Sequence, residues 1–294
     1  MNYLETLQEM LALSGRTEGT IKSYTLYVSA YLHYLEDHLQ LQPPQASWQD
    51  MRDFINWIQQ ERGLSDRTIN SIIAHLRFFT IYVLHESWDP SQLPRRRFDQ
   101  YLPFIPTKDE VTAIINAIDN LQAKVMVILM YSAGLRVSEV CNLQYEDISR
   151  ARLHIHIREA KNRSDRLALL DPFALEALSH YWRVYGKPME YLFRTRRDPG
   201  KPVSSAFVRH HIELAEQKLG WPHRFSCHTF RHAFATHFYE DTGDLITLKE
   251  LLGHRSLRST VVYVTLSGES LRKYPSPIQS LQVSLCVLDK SEWL

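Results

Sequence analysis

One stretch divides this chain before any helix is assigned. Residues 87–107, SWDPSQLPRRRFDQYLPFIPT, carry four prolines, Pro90, Pro94, Pro103 and Pro106. Each proline removes a backbone donor and pushes the residue before it out of the helical region. No helix is therefore expected to run through the stretch. The expectation is two folded bodies, residues 1–90 and 108–275, a connector at 91–107 and a tail at 276–294. A length of 294 residues suits two domains, and a hydrophobic share of 44% suits packed cores.

The first body reads as four helices. Leu4, Leu7, Met10 and Leu11 recur at helical spacing, and Gly15 stops the run. Thr17 is a natural N-cap for a second helix striped by Ile21, Tyr24, Val28, Tyr31, Leu32 and Leu35. After the Pro43-Pro44 break, Ser47 caps a third helix with Met51, Phe54, Ile55 and Ile58 inward, ending at Gly63. Ser65 caps a fourth, with Ile69, Ile72, Ile73, Leu76, Phe79 and Val83.

The second body begins with KDEVTAIINAI, whose early carboxylates suit a helix N-terminus. LQAKVMVILMYSAG reads as a buried helix ending at Gly134, and VSEVCNL as a short one. In RLHIHIREAKNRSDRLALL, Leu153, Ile155 and Ile157 alternate with polar residues, and Leu167 to Leu170 return after a polar turn. That pattern predicts a β-hairpin. Helices are expected again at 172–185, over SSAFVRHHIELAEQKLG, over HTFRHAFATHFYED and over LITLKELL. The fold class expected is mainly α: a helical first domain, then a mixed, mainly helical domain with a small β-sheet or hairpin.

Net charge is only +1, but it is unevenly placed. Residues 1–107 hold 9 Lys/Arg and 12 Asp/Glu, whereas residues 150–231 hold 16 and 8. Local positive charge is what a nucleic-acid surface requires, although a solvated face has the same composition. Cys141, Cys227 and Cys286 show no paired spacing, which points to a reducing compartment and no disulfide framework. The start, MNYLETLQEM, lacks a basic segment followed by an apolar one, and no apolar run nears the roughly 20 residues that span a bilayer. A cytoplasmic protein without a membrane segment is expected.

Five short elements stand out in order: AGLRVSEV around Arg136, EAKNRSDR around Lys161, HTFRH with His228 and Arg231, LGH ending at His254, and STVVYV with Tyr263. Singly, each has an ordinary reading: a surface arginine, a solvated lysine, a core histidine, a packed tyrosine. Together they supply what transesterification at a phosphodiester needs. Arg136 and Arg231 can clamp the non-bridging oxygens bidentately. Lys161, at a hairpin tip, can protonate the leaving 5′-oxygen. His228 lies three residues before Arg231, on the same side of a helix, and can exchange the tyrosine proton and contact the phosphate. His254 follows Gly253 at a helix end, where a turn can aim its ring at the same group. Tyr263 would attack in line. No cofactor and no metal are called for.

This order, with LGH nine residues before the tyrosine, resembles the tyrosine recombinase (phage integrase) family. The resemblance covers roughly residues 10–270. It implies a two-domain DNA clamp, with a SAM-like core-binding domain at 1–90 and a catalytic domain at 108–275. It implies Arg136, Lys161, His228, Arg231 and His254 as catalytic residues and Tyr263 as the nucleophile of a 3′-phosphotyrosine. Glu139 then buttresses Arg136, and His232 and His237 are expected to be structural. It further implies double-stranded DNA sites as partners, a dimer per site and a tetramer in the synapse, with part of 265–294 packing on a neighbouring protomer. The hairpin lacks the Gly-Lys-Gly that often frames the lysine, and VTLS follows the tyrosine in place of Thr-His.

Arg67, Asn70, Ser71 and Arg77 on the fourth helix, and Arg95, Arg96 and Arg97 in the connector, are candidates for DNA contact. A solvated face or linker is the plainer reading of each. Three rivals compete: a type IB topoisomerase with the same phosphotyrosine chemistry, a catalytically silent DNA-binding protein on the same scaffold, and a metal-dependent hydrolase using His228 and His232. The last lacks the glutamate of an HExxH pattern, because Thr229 follows His228.

Overall fold

The structure, a computed structural model, describes residues 2–99, 103–158, 165–187 and 190–266. The chain forms two compact units, 1–101 and 102–294.

The first unit holds four helices: α1 (Tyr3–Leu13), α2 (Glu18–Tyr34), α3 (Trp48–Arg62) and α4 (Asp66–Tyr82). Their starts are set by side chains that satisfy orphan amides. Thr17, Ser47 and Ser65 accept from the backbone N–H of Thr20, Asp50 and Thr68. Asp50 returns a bond to the Ser47 amide, which closes a capping box. Gly63, at φ 58°, ends α3 in the left-handed region where a side chain would be strained. α2 does not stop where its stripe ends. It continues through a π turn, Leu35–Leu39, before the Pro43-Pro44 break.

The inward stripes meet in one core, where Leu7, Tyr31, Phe54, Ile58, Ile69 and Phe79 are fully buried. The first part of the proline-rich stretch joins it. Leu93 is buried there, and Asn70 clamps the passing backbone, donating to the Arg96 carbonyl at 2.9 Å and accepting from the Arg96 amide at 2.8 Å. A buried amide side chain needs such partners, and an irregular segment next to it offers unpaired backbone groups.

The second unit is built round α6 (Leu121–Ser132), which buries nearly its whole circumference. It is flanked by α5 (Lys108–Ala117), α7 (Val137–Cys141), α8 (Pro172–Tyr185), α9 (Ser205–Leu219) and α10 (Cys227–Thr242). α11 (Leu245–Leu252) and α12 (Arg258–Leu266) complete the described helices. Three antiparallel strands, β1 (Ile148–Ser149), β2 (His154–Ile157) and β3 (Arg166–Leu169), form the sheet. The hairpin is therefore extended by a two-residue strand too short to announce itself by alternation. β2 pairs with β3 in a register that sets Ile155 against Ala168 and Ile157 against Arg166. Alternation turns Ala168 and Leu170 inward and leaves Leu167 and Leu169 exposed. Arg166 shares the inward parity, and a charged residue so placed must find a partner. Among the described residues no helix is long and apolar enough to cross a membrane.

Candidate active site

The site forms where the starts of α7 and α10, the strand β3 and the end of α11 converge with α12. At its centre one carboxylate serves three guanidiniums. Glu139 meets Arg136 at 2.6 Å, Arg166 at 2.6 Å and Arg231 at 3.8 Å. It also accepts from the Arg136 amide at 2.8 Å, which fixes the first turn of α7. Three cations against one anion leave an excess of two positive charges in a place largely closed to water. Such an excess is costly in the free protein and would favour a bound anion.

Backbone geometry holds Arg231. Its guanidinium donates to the carbonyls of Gly134 and Leu252, both at 2.6 Å, and its side chain is only 5% exposed. Burial first, and then neighbouring Arg136, pull its pKa down to about 10, so it stays charged at neutral pH. The two glycines beside these carbonyls are sterically required. A Cβ on Gly134, at φ 62°, would lie 2.4 Å from the Phe234 ring. A Cβ on Gly253, at φ 64°, would lie 2.6 Å from Cδ of Arg166. The glycine of LGH thus lets Arg166 pass beneath the turn that carries His254.

His254 uses both ring nitrogens. Nδ1 lies 3.0 Å from Oγ1 of Thr260, and Nε2 lies 3.4 Å from the Arg231 guanidinium. Burial, reinforced by Arg231, Arg136 and Arg166, holds its pKa down at about 4, so the ring is neutral. Its plane is stacked against Tyr263, with centroids 6.4 Å apart and 14° between planes.

Tyr263 is 3% exposed. Burial raises its pKa, against the opposing pull of Arg231 and Arg136, so the hydroxyl keeps its proton at neutral pH. That hydroxyl lies 3.1 Å from Nδ1 of His232. His232, expected to be structural, is thus the residue that lies against the nucleophile candidate. The signal was present in its spacing: four residues after His228, it shares that residue's face of α10. His228 itself is exposed on the first turn of α10, its ring centroid 6.4 Å from that of His232. His237 is occupied elsewhere, between the Tyr131 hydroxyl at 3.0 Å and the Pro106 carbonyl at 3.1 Å.

Lys161 lies outside the described residues, as do Arg163 and the rest of the hairpin turn. Arg166, a basic neighbour of Lys161 in the sequence, was given no role of its own. Its side chain is 7% exposed and braces Glu139.

In the first unit Arg67, Ser71, Arg77, Arg95 and Arg97 are exposed, with the Arg67 guanidinium 5.2 Å above the Phe98 ring. Arg96 is half-buried, paired with Asp66 at 2.9 Å and bonded to Gln59. Asn70 is buried in its clamp on the Arg96 backbone.

Comparison with known proteins gives a consistent picture. The sequence matches the phage integrase family over residues 106–269 and the phage integrase N-terminal SAM-like domain over residues 3–90. It is 30% identical over 275 residues to the tyrosine recombinase XerA of Pyrococcus horikoshii, covering 92% of each chain. The fold is similar to that of lambda integrase (residues 75–356), solved as a dimer bound to a core site. The TM-score there is 0.71 at 19% identity, covering 93% of this chain and 97% of that one. It is also similar to that of the XerH site-specific recombinase bound to a palindromic DNA substrate, with a TM-score of 0.68 at 20% identity over 86% of this chain and 78% of that one.

Proposed function

Because this chain belongs to the phage integrase, or tyrosine recombinase, family, we propose that it cuts and rejoins DNA at specific sites through a 3′-phosphotyrosine on Tyr263. The observation that best supports this reading is the setting of the Tyr263 hydroxyl. It is buried beside a cluster with excess positive charge, stacked on a neutral histidine and bonded to a second one. A tyrosine that only filled a core would not call for that surplus of buried cations.

The chemistry follows from the groups. Tyr263 attacks the phosphorus, and the phosphodiester energy is conserved in the new bond. Arg136 and Arg231 stabilise the charge that grows on the non-bridging oxygens, with Glu139 holding them in place. Lys161 protonates the departing 5′-oxygen, and His228 and His254 contact the phosphate. The charge work is assigned to arginines, so the step needs no metal. We place a dimer on each double-stranded site and a tetramer in the synapse, with part of 265–294 docking on a neighbour. That segment extends beyond the described residues. Synapse formation on paired sites is expected to weaken when residues 276–294 are deleted, and unchanged synapsis would remove the extension from this role.

The test of the main reading is covalent capture. The full chain is incubated with a nicked duplex pool of randomised sequence, and SDS-resistant adducts are recovered and sequenced. The wild type is expected to yield adducts that share one site, and Tyr263→Phe none. An adduct that persists in Tyr263→Phe would refute the assignment. Relaxation of supercoiled DNA lacking that site would point instead to topoisomerase behaviour.

A further inference from the structure

The proton on Tyr263 must leave as the hydroxyl attacks, and the structure shows where it can go. We propose that His232 is a catalytic residue, the general base that takes this proton through Nδ1 during cleavage and returns it during rejoining. The inference rests on Tyr263 being the nucleophile.

Three observations single out His232. First, it is the hydrogen-bond partner of the Tyr263 hydroxyl among the described residues, at 3.1 Å. That is within the reach expected of a general base. Second, the other two histidines are placed differently. Both nitrogens of His254 face other groups, Thr260 and Arg231, and its ring lies parallel to the tyrosine ring. His228, to which the sequence reading gave this proton, is exposed and lies one helical turn back along α10. Third, the surroundings keep His232 unprotonated and ready to accept. Burial lowers its pKa, and His228 and Arg231 on its own helix push the same way. Across from it stand Tyr263 on α12 and His254 in the turn after α11, the latter also neutral. The proposed step requires Tyr263 to donate and Nδ1 to accept in the resting state, with the ring hydrogen on Nε2.

The step balances. The Tyr263 O–H bond breaks and its proton moves to Nδ1, giving imidazolium. The phenolic oxygen forms the bond to phosphorus as the bond to the 5′-oxygen breaks, and that oxygen takes its proton from a separate acid, assigned above to Lys161. In rejoining, the 5′-hydroxyl attacks, the phenolic oxygen departs, and the imidazolium gives the proton back. The device suits a buried nucleophile, because bulk water cannot serve as the acceptor there.

The test is single-turnover cleavage of the captured site, measured against pH. His232→Ala is expected to slow adduct formation by about 10²–10⁴-fold, the usual range for losing a general base, and to remove the acidic limb of the wild-type profile. His232→Asn can accept a hydrogen bond but cannot take up a proton, so it should be nearly as slow. Replacing Tyr263 with 3,5-difluorotyrosine, whose phenol ionises more readily, should recover most of the rate in His232→Ala. Site binding by gel shift checks that each variant is folded. Wild-type rates in His232→Asn would show that the ring only positions the tyrosine, and would overturn the proposal. So would a loss in His232→Ala that is equally large with difluorotyrosine, or an unchanged acidic limb. If Tyr263→Phe still forms the adduct, the underlying reading fails instead, and this failure is told apart by that variant alone.

Discussion

In the first unit the buried polar side chains are neutral and scattered: Asn70, His75 and Thr80 sit singly among Leu, Ile and Phe. In the second unit the side chains of Glu139, Arg166 and Arg231 are each less than a tenth exposed and lie against one another, with Arg136 at their edge. The two units use the same helices, caps and apolar stripes, and differ in what they surround. A body whose core is nearly all hydrocarbon keeps its shape with no further partner. A body that buries more cations than anions is held in a strained electrostatic state, which an anion seated there would relieve. The first unit buries an almost uncharged core, and the second buries an unbalanced cluster of charges.

The contrast can be broken, beginning with its strongest element. Glu139→Ala leaves three guanidiniums without their carboxylate and is expected to cost about 3–5 kcal/mol. Hydrogen exchange should show the loss within 103–266 and normal protection over 2–99; equal loss in both would erase the distinction. Its counterpart is Leu76→Ala, which opens a cavity in the first core. This should cost about 2–5 kcal/mol, confined to 2–99, while adduct formation by protein already bound to its site stays at the wild-type rate. A slower chemical step in that variant would mean the first core also serves catalysis.

Acid should sharpen the picture through His75. Its ring lies 4.0 Å from that of Tyr24, and burial lowers its pKa to about 4 from an ordinary 6.5. The unfolded chain therefore binds a proton that the folded chain refuses between those values. Stability present above pH 6.5 falls as pH drops toward 4 and levels off below it. At 1.36 kcal/mol per pH unit the loss approaches about 3 kcal/mol. Hydrogen exchange over that pH range should show this slope in residues 2–99, where His75→Phe should flatten it, while the likewise depressed His254 gives residues 103–266 a slope that His75→Phe leaves in place.

Gly253→Ala should cost about 1–3 kcal/mol through overpacking against Arg166. It should also slow adduct formation, because relief of the clash moves the turn that carries His254. The smallest effect expected is for Ser65→Ala, about 1 kcal/mol from a lost helix cap, with no change in the chemical step. A larger rate effect at Ser65 than at Gly253 would invert the comparison.

Much of the fold was legible because it is local. Thr17, Ser47, Ser65 and Gly63 mark helix ends through contacts within a few residues, and apolar periodicity marks inner faces, so both survive in a linear reading. The segments around Arg136, Arg231, His254 and Tyr263 could be picked out because the chemistry proposed for them restricts residue types and order. Other features depend on pairs far apart in sequence. His232 reaches Tyr263 across 31 positions, Arg166 reaches Glu139 across 27, and Asn70 reaches the Arg96 backbone across 26. No local pattern encodes such pairings. They arise when separate helices and strands bury their apolar faces together and leave polar groups that must find one another. The sequence by itself thus determined most of the described helices and the mainly helical fold class. Packing alone decided that one carboxylate would serve three arginines, and that His232 would be the residue against the tyrosine hydroxyl.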